Sequence, residues 1–259
     1  MDPLLITPIP AFTDNYFWLL ERAGRAVVVD PGDAAPVERA LRDRGLQLAA
    51  ILITHHHFDH IGGLPALTEA WPVPVYGPAA ERIRGVTQPL REGDRVRLDA
   101  LAAEFTVWEM PGHTLGHIAY VADSFVLCGD TLFSAGCGRL FEGTAAQLQH
   151  SLSRLAALPA ATRVYCTHEY TLSNLAFAAA VEPGHRGVAG EIERVRALRA
   201  RNEPSLPSSI GHERRINPFL RTSEAAVVAA ATQQAGRPLE TEAEVFAALR
   251  TWKDAFRAP

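Results

Sequence analysis

The chain has 259 residues, of which 47% are hydrophobic and 21% are charged, and its formal net charge is −4 at pH 7. These values exclude a disordered chain, and without a basic stripe they give no support for nucleic-acid binding. No apolar run is long enough to span a membrane, and the first residues do not form a secretory signal. The three widely spaced cysteines do not make a disulfide framework. The sequence therefore predicts a cytoplasmic protein with neither a membrane nor a nucleic-acid partner.

The first two-thirds of the chain consists of short apolar segments broken by turn residues, which is typical of strands. We expect nine strands, at Leu4–Ile9, Tyr16–Glu21, Ala26–Asp30, Ala49–Thr54, Val73–Tyr76, Phe105–Met110, Ile118–Ala122, Phe125–Cys128 and Val164–Thr167. Helical patterns lie between some of them, at Pro36–Arg44, Leu64–Trp71 and Ala145–Leu158. This mixture predicts an α/β or α+β domain.

Helical stretches rich in alanine and glutamate replace the strands from about Thr171. We expect helices at Leu172–Val181, Ala189–Arg201, Glu224–Gln234 and Glu242–Phe256. Strand signals are absent from this part of the sequence. The change of pattern predicts two domains, a mixed domain at residues 1–170 and a helical domain at residues 171–259.

The most informative segment is residues 54–63, Thr-His-His-His-Phe-Asp-His-Ile-Gly-Gly, which holds four of the ten histidines. Imidazole and carboxylate groups at this density suit a cation such as zinc, manganese or iron better than a protein core. The spacing of His55, His57, Asp59 and His60 supplies three or four ligands from one loop. We therefore predict a metal site rather than a solvated turn, and we expect His56, which alternates away from its neighbours, to pack.

Three further candidate ligands, His113, Asp130 and His168, each follow directly after an apolar strand. Rigid strands that end at one sheet edge hold ligands more precisely than loops do. Two metals about 3.5–4 Å apart need roughly seven ligands with one bridging carboxylate, and the loop with these three residues supplies that number. We expect Asp130 to be the bridge and His117, at the start of the next strand, to be a packing residue.

These motifs resemble the metallo-β-lactamase superfamily, with Thr-His-His-His-Phe-Asp-His at 54–60, Val-Asp-Pro-Gly at 29–32, Pro-Gly-His-Thr at 111–114 and Gly-Asp-Thr-Leu-Phe at 129–133. Later motifs are similar to those of the glyoxalase II, or hydroxyacylglutathione hydrolase, family: Cys-Gly-Arg-Leu-Phe-Glu-Gly at 137–143, Thr-His-Glu-Tyr-Thr at 167–171 and Asn-Pro-Phe at 217–219. The resemblance spans nearly the whole chain. It implies a four-layer αβ/βα sandwich as the catalytic domain, followed by a helical, glutathione-binding domain.

The resemblance also implies two divalent metal ions, zinc in the first place and iron or manganese as alternatives. The implied ligands are His55, His57 and His113 for one metal, Asp59, His60 and His168 for the other, and Asp130 for both. A hydroxide held between the metals and oriented by Asp59 attacks the thioester carbonyl of S-(2-hydroxyacyl)glutathione, such as S-D-lactoylglutathione, and a metal stabilises the oxyanion. The reaction is the second step of methylglyoxal detoxification.

By the same resemblance, glutathione is bound by Arg139, Tyr170, Arg250 and Lys253, with the last two taking its glycine carboxylate. Arg250 and Lys253 are three residues apart on a predicted helix and share a face, for which a solvated helix face is the alternative interpretation. The chain departs from the family where Arg139 and Phe141 stand, since lysine and tyrosine are frequent there. Phe141 lacks the tyrosine hydroxyl and with it one hydrogen bond to glutathione.

The main alternative is a persulfide dioxygenase on the same fold, which uses one iron and also acts on a glutathione-containing substrate. A β-lactam or lactone hydrolase and a metal-storage protein are further alternatives. We favour a thioester hydrolase, because the C-terminal helices with Arg250 and Lys253 match the glutathione hydrolases. We also expect the protein to act as a monomer.

Overall fold

The computed structural model describes residues 2–257, whose packing divides the chain into two compact units. The first unit contains the chain up to Met110 together with Leu115–Gly129. The second contains Pro111–Thr114 together with the chain from Asp130 onward. The division into domains at residue 170 stays a prediction.

A six-stranded sheet, with its strands in chain order, forms the centre of the first unit. The strands are β1 (Leu5–Ala11), β2 (Asn15–Arg22), β3 (Arg25–Val29), β4 (Gln47–Leu52), β5 (Val75–Pro78) and β6 (Gln88–Leu90). The pairs β1–β2 and β2–β3 are antiparallel, whereas β3 to β6 run parallel. The strands β3, β4 and β5 are largely buried, as expected for strands covered on both faces, whereas two of the three residues of the edge strand β6 are exposed.

Three helices accompany this sheet: α1 (Ala34–Asp43), α2 (Phe58–Ile61) and α3 (Leu64–Ala70). Asp33 caps α1 by accepting a hydrogen bond from the Ala35 amide. The apolar face of α1 places Val37 and Leu41 in a core that also contains Phe17 and Ile51 from the sheet. Packing of this amphipathic face on the sheet, rather than local propensity, accounts for most of the stability of α1.

Four antiparallel strands complete the first unit: β7 (Arg95–Leu98), β8 (Ala103–Glu109), β9 (Ile118–Val121) and β10 (Phe125–Gly129). Every residue of β10 is buried. Its last residue, Gly129, has φ of +48°, a left-handed conformation that glycine adopts easily. The chain therefore turns sharply at the point where it delivers Asp130.

The second unit combines short strands with six helices among its described residues. The strands are β11 (Leu132–Phe133), β12 (Gly136–Cys137), β13 (Arg163–Cys166) and β14 (Ser208–Ser209). The helices are α4 (Ala145–Ala156), α5 (Thr171–Val181), α6 (Arg186–Ala200), α7 (Ile210–Ile216), α8 (Ala225–Ala235) and α9 (Glu242–Ala255). β11 pairs with β12 and β13 with β14, both antiparallel. Thr144 and Thr241 begin α4 and α9 with reciprocal capping boxes.

All nine strands and all seven helices expected from the sequence are present, with ends shifted by a few residues. The expectation of no strand beyond residue 171 is wrong, because β14 pairs with β13. A two-residue strand of serines carries no alternation of polar and apolar residues, and the same shortness hides β11 and β12. None of the helices within residues 2–257 is long and apolar enough to cross a membrane.

Candidate metal centre

The histidine-rich loop of the first unit is fixed by Asp30, which follows β3. The Asp30 carboxylate accepts hydrogen bonds from the Thr54 amide (2.7 Å to Oδ1) and from the Thr54 hydroxyl (2.7 Å to Oδ2). Thr54 and His55 are fully buried. The end of β4 is thereby tied to the end of the neighbouring parallel strand, and His55 begins the loop from a rigid position.

The hydrogen bond between Thr54 and His55 indicates which ring nitrogen of His55 is available to bind a metal. His55 Nδ1 lies 3.1 Å from Thr54 Oγ1, whose own hydrogen is directed at Asp30. Thr54 Oγ1 therefore accepts from His55 Nδ1–H, and His55 Nε2 carries a lone pair. This Nε2 is 3.0 Å from His57 Nδ1. Two imidazole nitrogens that converge in this way suit a shared cation.

His60 and Asp59 lie on the single turn of α2 and form a second pair of donors in the same unit. His60 Nδ1 is 3.1 Å from Asp30 Oδ2, and His60 Nε2 is 3.5 Å from Asp59 Oδ2. A carboxylate behind an imidazole directs its other nitrogen to a metal. Asn15 Nδ2 donates to Asp59 Oδ2 at 3.0 Å and orients this carboxylate.

Asp130 lies between two histidines in the second unit. Its Oδ2 is 3.5 Å from His113 Nε2 and 3.3 Å from His168 Nε2, and all three side chains are almost fully buried. His113 Nδ1 is 2.8 Å from the carbonyl oxygen of Arg139, an acceptor, so Nδ1 carries the hydrogen and Nε2 the lone pair. One carboxylate oxygen facing two imidazole nitrogens fits a bridging ligand.

The two histidines expected to pack rather than bind metal both have other neighbours. His56 Nδ1 is 2.9 Å from Glu81 Oε2. His117 is fully buried, with its ring stacked on that of His55 at 4.8 Å between centroids. Neither belongs to the groups of residues able to hold a metal among the described residues.

Two of the residues expected to bind substrate stand beside the candidate ligands of the second unit. Tyr170 stacks on His168 with 4.6 Å between parallel ring centroids, and Phe133 contacts it edge-on at 5.3 Å. Phe141 meets the His113 ring edge-on at 5.3 Å, and 61% of Phe141 is exposed. Tyr170 and Phe141 thus present aromatic surface to an incoming molecule.

The three basic residues of the predicted glutathione site lie in unequal surroundings. Arg139 Nε is 3.2 Å from Asp254 Oδ1, and more than half of the Arg139 side chain is exposed. Arg250 is only 6% exposed. Lys253 Nζ donates to the Ser173 carbonyl oxygen at 3.1 Å and lies over the rings of Phe177 and Phe256.

The pKa values of Lys253 and of its neighbour Cys137 are both shifted by their surroundings. Burial, reinforced by the nearby Arg250 guanidinium, lowers the pKa of the Lys253 ammonium to about 8. Burial raises the pKa of the Cys137 thiol to about 11, although Arg250 opposes the effect. Cys137 therefore stays protonated at neutral pH, which argues against a reactive thiol.

Sequence reasoning missed the residues that hold the ligands in place: Asp30, Thr54 and Asn15. The available signal was the motif Val-Asp-Pro-Gly at 29–32, an acidic residue directly after a buried strand. Asp30 also has φ of +50°, a left-handed conformation that is uncommon for residues other than glycine but that aspartate adopts more readily than most.

Comparisons with known proteins agree along nearly the whole chain. The sequence model of the metallo-beta-lactamase superfamily matches residues 12–168. The sequence model of the family described as the hydroxyacylglutathione hydrolase C-terminus matches residues 169–256. The chain is 56% identical to a hydroxyacylglutathione hydrolase of Cupriavidus taiwanensis, over 98% of this chain and 100% of the relative. It is 55% identical to one of Pseudomonas fluorescens, over 97% and 99%. A solved structure, TTHA1623 in a di-iron-bound form, is similar with a TM-score of 0.59 and 29% identity, over 83% of this chain and 100% of the other.

The fold and the clusters together define the class of protein: a metallo-β-lactamase fold with a C-terminal helical region, whose histidine and aspartate groups support a divalent metal centre. The fold class and the resemblance expected from the sequence are confirmed. Within that class, the chain belongs to the hydroxyacylglutathione hydrolase family.

Proposed function

We propose that this chain hydrolyses S-(2-hydroxyacyl)glutathione thioesters, with S-D-lactoylglutathione as a substrate, to the free 2-hydroxy acid and glutathione. The observation that carries the proposal is the match of both parts of the chain, residues 12–168 and 169–256, to that family. Relatives more than half identical over nearly their full length bear the name of this thioester hydrolase. Such a reaction is the second step in the removal of methylglyoxal.

The metal centre that we propose contains two divalent ions, with zinc as the first choice and iron or manganese as alternatives. Its ligands are His55, His57 and His113 for one ion, Asp59, His60 and His168 for the other, and Asp130 for both. The orientation of the donor nitrogens within each unit and the di-iron form of the similar solved protein support this assignment. When bound, two such cations lower the pKa of a water and polarise a carbonyl group.

Residues of the chain then orient the reactants. Asp59 accepts a hydrogen bond from the Asn15 amide, and its proposed role is to orient the attacking water. Asp130 Oδ2 faces His113 Nε2 and His168 Nε2 at 3.5 and 3.3 Å, so a cation bound there would join the carboxylate to both imidazoles. The departing glutathione thiol has a pKa of roughly 8.5, so it leaves as a thiolate without a dedicated general acid.

For the substrate we propose contacts with Arg139, Tyr170, Arg250 and Lys253, and with the ring of Phe141. Tyr170 and Phe141 are the exposed aromatics beside His168 and His113. Lys253, the only lysine in the sequence, is the cation best placed to take the glycine carboxylate, because Arg250 is buried. Phe141 contributes ring contacts only, as it has no hydroxyl group.

Replacement of Lys253 by alanine is expected to raise KM by roughly tenfold, the value of a lost charge-assisted hydrogen bond, with kcat within about twofold. Because the ammonium is charged only below its pKa of about 8, KM of the unaltered enzyme is expected to rise as the pH increases through 8. The pKa of Lys253 also depends on charges nearby: it is lowered by Arg250 and raised by Cys137 and Asp254. In the matched control Lys253→Arg, the charge persists and the rise disappears. A KM that is insensitive to both substitutions would remove Lys253 from the site.

The function is tested by following thiol release and oxygen uptake together, with purified metal-loaded protein and S-D-lactoylglutathione. We expect thiol release without oxygen uptake. Oxygen consumption with a glutathione persulfide, and an intact thioester, would favour the dioxygenase alternative. All three cysteines lie within the described residues, are buried and form no disulfide, which fits the cytoplasmic location that we propose. Action as a monomer stays a prediction.

A further inference from the structure

Arg250 and Asp254, one turn apart on α9, hold the segment Cys137–Arg139, and we call this pair the α9 clamp. Arg250 Nη1 donates to the carbonyl oxygens of Cys137 (3.2 Å) and Gly138 (3.5 Å). Asp254 Oδ1 accepts from Arg250 Nη2 at 3.0 Å and from Arg139 Nε at 3.2 Å. Three successive residues of the segment are thus bound by one pair of side chains.

The surroundings of Arg250 indicate a structural task for its guanidinium in addition to the proposed contact with substrate. Its side chain is 7% exposed, and its Cζ lies 5.3 Å from the centre of the Phe219 ring. A buried charge is tolerated when it is paired and its hydrogens have acceptors. Asp254 supplies the opposite charge and the two carbonyl oxygens accept from Nη1, while the buried Arg250 Nε has no hydrogen-bond partner among the described residues. The planar guanidinium presents donors in fixed directions to the carboxylate and to the two carbonyl oxygens, whereas a lysine ammonium is a point charge on a flexible stem.

The segment held by the clamp also determines the orientation of His113. The Arg139 carbonyl oxygen accepts from His113 Nδ1 at 2.8 Å, which directs His113 Nε2 to Asp130. β12 ends at Cys137, and the Gly138 amide donates to the Thr131 carbonyl oxygen at 3.1 Å, so Arg139 is the residue of the segment that lies beyond this pairing. Rotation of the Arg139 peptide would remove the acceptor behind His113.

We infer that the α9 clamp is a positioning device for the metal centre: Arg250 and Asp254 hold Cys137–Arg139 so that the Arg139 carbonyl keeps His113 in its metal-binding orientation. The inference rests on the proposed function only in taking His113 as a metal ligand. It gives the helical part of the chain a task beyond substrate binding, and this task is measurable without any substrate.

The test is a Zn²⁺ titration of metal-free protein against a chromophoric chelator, with no glutathione compound present. Arg250→Met is expected to weaken one of the two Zn²⁺ equivalents by about tenfold, the lower range for loss of a group that orients a ligand. Asp254→Asn, which keeps the side-chain volume, is expected to weaken the same equivalent by about threefold. The double variant is expected to be no weaker than Arg250→Met, because both residues act through one contact.

Two controls separate the clamp from substrate binding and from general damage. Lys253→Ala removes a charge from the same helix without touching the segment, so its Zn²⁺ affinity is expected to match the unaltered protein. Thr251→Ala changes an exposed residue between the clamp residues and is expected to do the same. The inference would be overturned if Arg250→Met bound both Zn²⁺ equivalents as tightly as the unaltered protein does and only its KM were raised. It would also be overturned if the affinity for both equivalents fell by the same factor.

A folding defect in Arg250→Met leaves the inference testable, since the Asp254 side chain is 37% exposed and we expect its asparagine variant to fold. Asp254→Asn with unchanged Zn²⁺ affinity then overturns the clamp. A protein that binds two Zn²⁺ normally and leaves the thioester intact contradicts the proposed function instead, so the two failures are distinguishable.

Discussion

Asp130→Asn is expected to lower kcat by about a thousandfold, which corresponds to ~4 kcal/mol of lost transition-state stabilisation. The carboxylate oxygen that lies within 3.5 Å of both His113 Nε2 and His168 Nε2 becomes one end of a neutral amide. An amide nitrogen at this position would donate to one of these imidazoles. Because that hydrogen bond replaces a contact between acceptors, we expect the metal-free variant to be no less stable than the parent while its Zn²⁺ affinity falls.

Steady-state kinetics, metal analysis and thermal unfolding of the metal-free protein measure the three effects of Asp130→Asn. Asp123→Asn, a change of the same chemistry at an exposed position, is the matched control and should leave all three unchanged. A variant at position 130 that binds two metals and keeps kcat within tenfold would show that Asp130 is not the bridging ligand.

The second large effect is expected at two glycines on which the ligand-bearing backbone packs. A methyl group on Gly32 would overlap the Asp59 carbonyl oxygen, and one on Gly138 would overlap the Asp130 carbonyl oxygen. Both obstacles are backbone atoms that cannot rotate away. We expect Gly32→Ala and Gly138→Ala each to lower the free energy of unfolding by about 2–3 kcal/mol. Displacement of the ligands is expected to weaken Zn²⁺ binding about tenfold.

Gly190→Ala is the control for the glycine variants, because a methyl group there meets no atom within 4 Å and the residue lies within α6. It should stabilise the protein by about 0.5–1 kcal/mol, since alanine favours the helix over glycine. Denaturant unfolding of the metal-free proteins compares the three. If Gly32→Ala left both the free energy of unfolding and the Zn²⁺ affinity unchanged, the backbone at Asp59 could move aside without cost. That result would contradict the close packing of Gly32 on Asp59.

Local patterns were sufficient to propose the candidate ligands, because four of them lie in one histidine-rich loop and the other three follow short apolar runs that predict strands. His55, Asp130 and His168 follow β4, β10 and β13 in this way. The environment of Arg250 could not be predicted, since helical spacing places it on the same face as Lys253 but does not indicate what packs there. Its partners are 112 and 113 positions away in sequence, at Gly138 and Cys137.

The same limit applies to the groups behind the ligands. Asp30 and Thr54 are 24 residues apart and meet because β3 and β4 are parallel neighbours. Nothing in the order of their residues specifies this register, which depends on burial of both strands. Long-range packing thus sets the orientation of the imidazoles, whereas the sequence motif sets only their identity.

The central claim is that two bound divalent ions make this chain a thioester hydrolase, and the most direct test measures both properties on one sample. Metal content and S-D-lactoylglutathione hydrolysis are followed before chelation, after chelation and during stepwise return of Zn²⁺. We expect hydrolysis to disappear with the metal and to recover fully at two ions per chain. Hydrolysis at an undiminished rate in metal-free protein, or an intact thioester in protein carrying two ions, would contradict the account.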